Sequence, residues 1–375
     1  MESSCSGQAL GSLQLWIDSL RFSTTSQRTR SAECIPTTSQ ARQQQSLADR
    51  TSAQLPSINK TTATGHGDEE TVLYLGYGSN LSAETFRGKR GIRPVSQVNV
   101  VVPSLSLTFD LPGIPYSEPC FGNVRLREVT PQRDGDSAAS KDYHKDRWSK
   151  GLVGVVYEVT KSDFVHIIAT EGGGAGYQDV LVDCYALSGD PMEDVPLMPS
   201  GQPFKAHTLF APEKLSRRPD PSYAQPSPRY LKLITDGAEE HGLPLEYQAF
   251  LHQIRTFHMT TTKQRLGSFI FLSVWSPFFL FFVGGAAAIF LRPDGTYPEW
   301  FAKFLNAMFA ACWASYDRFF KDMFGDGERT IKEKDEDDDD DIGYRRISSV
   351  MDEKDPLVER VQHKYGTVTA VERIV

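Results

Sequence analysis

The stretch Thr71-Val-Leu-Tyr-Leu-Gly-Tyr-Gly-Ser-Asn80 is a short apolar run that breaks into a glycine-bearing turn. Val72 to Leu75 reads as a buried strand, since apolar and aromatic side chains in succession leave neither face polar. Gly76 and Gly78 flank Tyr77, and glycines admit backbone dihedrals that other residues avoid. Successive N–H groups there can converge on an anion such as a carboxylate. An ordinary strand-to-helix turn is the alternative, with Ser79, Asn80 or Ser82 capping a helix through Phe86.

Further strands follow on either side of a proline-rich segment. Val98–Val102, Leu105–Leu111 and Val124–Val129 have the pattern, while the prolines of Pro112–Asn123 predict an irregular loop there. Gly151-Leu-Val-Gly-Val-Val-Tyr-Glu-Val-Thr160 is almost continuously apolar and rich in β-branched residues, so it predicts a central strand covered on both faces. Tyr177–Leu187 and His207–Leu209 add strands. Asp163–Ala169, capped by Ser162 and ended by Gly172-Gly-Gly174, predicts a short helix, as do Tyr230–His241 and Leu245–Ile254. Thr130–Lys150 reads as a polar surface insert. Together these elements predict an α+β domain over residues 71–258, built on a small mixed, barrel-like sheet with short helices and large enough for a real core.

The flanks differ in composition. Residues 1–70 are rich in Ser, Thr, Gln and Arg and predict disorder. Leu10, Leu13, Trp16 and Leu20 with Arg21, Arg28 and Arg30 have the form of a transit peptide, against which Glu2 and Asp18 stand. Leu266 to Leu291 holds 26 residues without a charge between Arg265 and Arg292. As a helix it is about 39 Å long, more than the roughly 30 Å hydrocarbon core, and it predicts a single transmembrane span at 266–291. Trp300/Phe301, Phe304/Leu305, Met308/Phe309, Cys312/Trp313 and Tyr316 recur every four positions. They predict an amphipathic helix at 299–320 lying along the bilayer, a second span being the alternative. Residues 325–375 read as a disordered, charged tail in which Arg345-Arg346 before Ser348 suits a basophilic kinase.

The charge balance excludes one large class of partner. The net charge of −8 is carried mostly by the seven acids of Asp335–Asp341, so the folded part is nearly neutral and has no nucleic-acid footprint. Cys5, Cys34, Cys120, Cys184 and Cys312 form no C-x-x-C pair, and the histidines form no H-E-x-x-H set. No disulfide framework, metal or cofactor is therefore expected. Arg255, Lys263 and Arg265 before the apolar stretch outnumber Arg292 and Lys303 after it, which predicts that the folded domain faces the cytosol. The sequence assigns no oligomeric state.

The chemistry-bearing stretch is Thr170-Glu171-Gly-Gly-Gly-Ala-Gly-Tyr177. A carboxylate at a helix end is followed by four glycines within five residues, where backbone can approach a ligand closely. These glycines follow a helix instead of preceding one, and neither a P-loop lysine nor G-x-G-x-x-G is present, so this is no nucleotide loop. An isolated acid beside flexible backbone, with a carboxylate-binding turn elsewhere, suggests proton transfer on a small, amino-acid-like substrate. A solvated helix end is the alternative for Glu171.

The chain resembles the γ-glutamylcyclotransferases in three separated segments. These are Tyr74–Asn80, Glu171–Tyr177 and Pro226-Ser-Pro-Arg-Tyr-Leu-Lys-Leu-Ile-Thr-Asp-Gly-Ala-Glu-Glu-His-Gly-Leu-Pro-Leu-Glu-Tyr247, the last being long and specific. The resemblance implies a lyase that cyclises a γ-glutamyl amino acid or peptide to 5-oxoproline and releases the amino acid, without a cofactor. Glu171 would be the general acid/base, its pKa raised by burial. The backbone of Tyr74, Leu75, Gly76, Tyr77, Gly78 and Ser79 would hold the glutamyl carboxylate, and the hydroxyl of Tyr230 would close the site. Specificity for glutathione or for γ-glutamylamines is an alternative within the class. An inactive, membrane-tethered binding module is one outside it, against which the intact Glu171 argues.

Overall fold

The computed structural model describes residues 35–49, 70–127, 148–171, 178–210, 218, 223–290, 292 and 297–331. Its strands are β1 (Thr71–Gly76), β2 (Ser96–Val102), β3 (Leu105–Ile114), β4 (Glu118–Leu126), β5 (Leu152–Thr160), β6 (Gln178–Ala186) and β7 (Phe204–Phe210). Five of them close a barrel in the order β1-β5-β2-β6-β7, the ring being completed by a parallel contact between Tyr74 and His207. β5 lies between β1 and β2 and is antiparallel to both, with Val156 opposite Leu75 on one side and Val98 on the other. Its valines at 153, 155, 156 and 159 are fully buried, which is why the strand lacks the alternation of a half-exposed one.

β3 and β4 form a separate two-stranded hairpin. Pro112 pairs with Cys120 and Ile114 with Glu118, and the tip turns at Tyr116 with φ 64. This corrects the expectation of an irregular loop over Pro112–Asn123. In a two-stranded sheet each strand has an outer edge, and a proline there removes no ladder bond.

The N-terminal expectation is corrected for residues 35–49, which are docked on the barrel. Thr37 bridges Gln97, and α1 (Gln40–Gln45), capped by Ser39, presents Arg42 to Glu158 at 3.2 Å and to the carbonyl of Thr71 at 3.0 Å. Polar and charged bonds hold this segment, so it has no apolar periodicity to announce it. The transit-peptide stretch lies outside the described residues, as does the insert before Trp148.

α2 (Lys161–Thr170), α3 (Pro228–Glu240) and α4 (Leu245–His252) complete the domain. Ser227 caps α3 and Pro228 opens it, the position where a missing N–H is harmless. α3 sits directly on the turn after β1: a Cβ at Gly237 would come within 2.5 Å of Leu81, so only glycine permits this approach.

At the C-terminal end α5 (Thr262–Phe281) continues through residues 282–286 into α6 (Ala287–Phe290), and α7 (Glu299–Ser315) continues through residues 316–320 into α8 (Lys321–Phe324). A capping box of Thr261 and Gln264 starts α5. Thr262–Gly285 is long and apolar enough to cross a membrane, and 28% of its most apolar stretch is buried by the protein. The sequence predicts a single span at 266–291, with 299–320 lying along the bilayer or, as the alternative, forming a second span. The two helical arms run antiparallel, with Phe271 against Phe320, Phe279 against Phe309 and Phe290 against Phe301. The apolar stripe of Phe301, Leu305, Met308, Phe309 and Cys312 is buried along this seam.

The packed chain also runs past Gly325, where the sequence reading began the disordered tail. Gly327 accepts a backbone bond from Tyr116 at 2.8 Å, and the carbonyl of Glu328 accepts one from Gln225 at 2.9 Å. Glu328 is buried with Arg218, whose guanidinium stacks on Trp313. The acidic run and Ser348 lie outside the described residues.

Candidate active site

Glu171 is delivered by α2. Thr160 caps the helix by accepting from the N–H of Asp163, and Glu171 is its C-cap, with its N–H bonded to Ile167 at 2.9 Å. The chain turns inward there, leaving Glu171 8% exposed. Its carboxylate is not the lone buried acid that the sequence reading expected. The guanidinium of Arg90, itself buried, contacts Oε1 and also reaches the hydroxyl of Thr170. Asn80 Nδ2 donates to the same Oε1 at 3.0 Å and to the Tyr74 hydroxyl at 2.8 Å. Both of these bonds fall on Oε1, which fixes the plane of the carboxyl group through charge-assisted contacts. The glycines Gly172 to Gly174 and Gly176 lie outside the described residues.

Arg90 and Asn80 were missed as functional residues. Asn80 stood inside the quoted motif but read as a helix cap. Arg90 follows Lys89 at the end of a short helical segment, Glu84–Lys89, and nothing in the spacing distinguishes it from a surface cation.

The opposite wall comes from the turn after β1 and from the face of α3. Tyr74, Tyr77, Gly78 and Ser79 line a cleft of about 370 Å³, counted with its open mouth, and Asn80, Gly122, Glu171, Leu209 and Tyr230 complete it. Leu75 and Gly76, expected among the substrate-binding residues, are not in this lining. Both belong to β1 and are paired with Val156 and Val155. The glycines also serve differently from the expectation. Gly78 has φ −111, and neither Gly76 nor Gly78 takes a positive φ. What they supply is space: a Cβ at Gly76 would lie 3.0 Å from the ring of Tyr157, and one at Gly78 would lie 3.3 Å from the hydroxyl of Tyr230.

Tyr230 is held at the centre of this wall. Its hydroxyl accepts from the N–H of Gly122 at 3.0 Å, and a side chain on Gly122 would crowd it at 3.1 Å. The bond leaves the phenolic proton available to a ligand. Burial, with smaller effects of nearby groups including Glu171, pushes the hydroxyls of Tyr74 and Tyr230 well above their usual range, so both are neutral donors. Glu118 on β4 sets the start of α3, accepting from Ser227 at 2.5 Å and from Arg229 at 2.6 Å. At the other end of α3, His241 Nε2 lies 2.8 Å from the Tyr157 hydroxyl and 3.0 Å from the carbonyl of Leu81. The helix is thereby tied to the turn that carries Ser79 and Asn80.

An oriented carboxylate, neutral phenols and a short turn of backbone around one cleft suit a small zwitterion whose ammonium meets the acid. Among the described residues no group of three His, Cys, Asp or Glu could hold a metal ion.

A family model described as the AclK C-terminal domain matches residues 261–323, the helical hairpin. The gamma-glutamyl cyclotransferase aclK of Aspergillus oryzae is 31% identical over 268 residues, covering 69% of this chain and 91% of that protein. The gamma-glutamyl cyclotransferase gliK of Aspergillus fumigatus is 28% identical over 261 residues, covering 68% and 89%. Human gamma-glutamylcyclotransferase is 28% identical over 187 residues, covering 50% and 80%. A solved structure titled "Gamma-glutamyl cyclotransferase" aligns with a TM-score of 0.35 at 22% identity, over 52% of this chain and 93% of that one. The match to the Aspergillus oryzae protein extends through nearly all of its length, and the chain thus belongs to the γ-glutamyl cyclotransferase family.

Proposed function

We propose that the protein cyclises a γ-glutamyl amino acid or peptide to 5-oxoproline, with Glu171 as the proton carrier. The observation that carries this reading is that Glu171 lines the same cleft as Gly78, Ser79 and Tyr230. The turn at Tyr77–Ser79 holds the glutamyl carboxylate, and Oε2 of Glu171, the oxygen away from Arg90 and Asn80, receives a proton from the α-ammonium. The freed amine attacks the γ-carbonyl of the same molecule, forming the ring C–N bond. The bond to the departing amine then breaks as Glu171 returns the proton to it, and the second proton that the ring nitrogen sheds on becoming an amide passes to the released amine, which leaves as its ammonium, so nothing is oxidised or consumed. Because attack is intramolecular, holding a near-attack conformer and relaying protons from the attacking to the departing nitrogen account for the acceleration. The neutral hydroxyl of Tyr230 donates toward the carbonyl oxygen as charge develops there.

The enzyme works at a membrane, attached through residues 266–291 with its barrel in the cytosol, as the basic residues before that stretch suggest. The experiment is to incubate the full-length, detergent-solubilised chain separately with γ-glutamyl amino acids, glutathione and γ-glutamylamines, and to assay 5-oxoproline and released amine. Production from γ-glutamyl amino acids is expected. Production only from glutathione or only from a γ-glutamylamine reassigns the substrate, and none from any, with the fold intact, points to a binding module.

A further inference from the structure

We propose that residues 262–324 cross a lipid bilayer as one antiparallel helical hairpin, which enters and leaves on the side of the catalytic barrel. The inference rests on the membrane attachment above and replaces a single crossing by two.

The return of the chain to its point of entry carries the argument. Gln264 Nε2, in the first turn of α5, donates to the carbonyl of Asp326 at 2.7 Å, and the N–H of His258 donates to Thr330 at 2.9 Å. Gly267 touches Phe324 so closely that a Cβ there would lie 2.4 Å from it. Trp313 donates to the carbonyl of Gly113 at the tip of the β3–β4 hairpin, 3.1 Å away. A chain that crossed once would leave Asp326 a bilayer away from Gln264.

The outward faces of both arms fit hydrocarbon. Phe269 is 71% and Phe281 66% exposed, and Val274, Phe278, Phe304 and Phe319 are also open, a surface too apolar to leave in water. The charges sit at the two ends. Glu299 and Lys303 pair at 2.8 Å at the far end, and Asp317 pairs with Arg218 at 2.7 Å at the barrel end. Phe282 meets Phe304 edge to face at 4.7 Å, which sets Lys303 level with the end of α5. The uncharged depth from Leu266 to Phe282 is then about 25 Å at 1.5 Å per residue. On the other arm the run clear of the barrel is Phe304–Cys312, about 14 Å, because Trp313 already meets Gly113 at the β3–β4 tip and lies under Arg218. Trp313 and Tyr116 sit at the barrel-side interface, and snorkelling of Lys303 with local thinning of the bilayer makes up the difference from a core of about 30 Å. Arg292, Asp294, Glu299 and Lys303 cluster near the far end in sequence. Charges of this kind are costly at the bilayer centre, so that end emerges on the opposite face.

The test is cysteine accessibility in sealed vesicles from cells expressing the full chain. The probe is a bilayer-impermeant maleimide that shifts gel mobility, and the wild-type chain gives the background of its own cysteines. K232C reports the barrel, E299C the far end and R329C the return. The expected result is that K232C and R329C shift together while E299C behaves oppositely, its label gained or lost with vesicle orientation and gained in all vesicles after detergent. If R329C follows E299C, the chain crosses once and the hairpin is overturned while attachment stands. Labelling of all three in intact vesicles overturns any crossing. Extraction of the chain by alkaline carbonate overturns attachment itself, and concentration-dependent self-association of the extracted protein would assign the apolar face to a second copy.

Discussion

Arg90 and Glu171 form a buried pair whose two halves have different jobs, and their variants should separate those jobs. Glu171→Gln keeps the shape and the bonds from Asn80 but cannot carry a proton. Turnover should fall by about 10²–10⁴ while substrate affinity, measured by calorimetry, stays near wild type. Retention of more than about a tenth of the rate, far above that range, would remove Glu171 from the role. Arg90→Met leaves the carboxylate buried without its partner and should cost about 3–5 kcal/mol of stability. Adding Glu171→Gln to that variant should recover a good part of the loss in a thermal melt, because the unpaired charge is then gone. Gly78→Val tests the opposite wall. The new side chain occupies the space before the Tyr230 hydroxyl, where a Cβ alone would already be 3.3 Å away. Overpacking of this kind costs about 1–3 kcal/mol, so KM should rise some 5- to 150-fold with a smaller change in kcat.

At the level of elements, α3 couples the phenol of Tyr230 to the turn at Ser79–Leu81, and two of its residues report on that seat. Gly237→Ala drives a methyl into Leu81 and should both destabilise the fold by about 1–3 kcal/mol and raise KM, because the turn it displaces carries Ser79 and Asn80. His241 gives the contact a pH dependence. Burial pushes its imidazole from 6.5 down to about 4, against a smaller upward effect of the bond to Leu81. The folded protein therefore keeps this group neutral where the unfolded chain protonates it. Its contribution is intact above pH 6.5 and is lost as pH falls from there through 4, a decline on the order of 3 kcal/mol. Thermal melts of wild type and His241→Gln from pH 7.5 to 4.5 should converge as the pH drops, and parallel curves would show that another group dominates the acid limb.

Across the whole molecule, the hairpin and the cleft are mechanically joined through the segment Gly325–Thr330. That segment bonds Tyr116 at the β3–β4 tip and Gln225 before α3, and Glu118 beyond the tip fixes Ser227 and Arg229. Ending the chain before α5 should therefore lower activity even though every cleft residue is retained, as assays of 5-oxoproline on truncated and full-length chains can show. The sequence alone determined what depends on local pattern: the buried strands Val72–Leu75 and Gly151–Thr160, the short helix Asp163–Ala169 before Glu171, the turn at Tyr77–Ser79, and an apolar stretch longer as a helix than a bilayer is thick. Periodicity and glycine placement are written in neighbouring residues, so these were legible. The tertiary structure decided what depends on distance across the chain. It brought Arg90 and Asn80 onto one oxygen of Glu171, made Gly78 and Gly122 a clearance around Tyr230, docked Arg42 on Glu158, and turned two apolar stretches into one antiparallel pair. A salt bridge, a clearance or a helix pairing is a relation between residues far apart in sequence, and only closure of the barrel and packing of the helices set those distances.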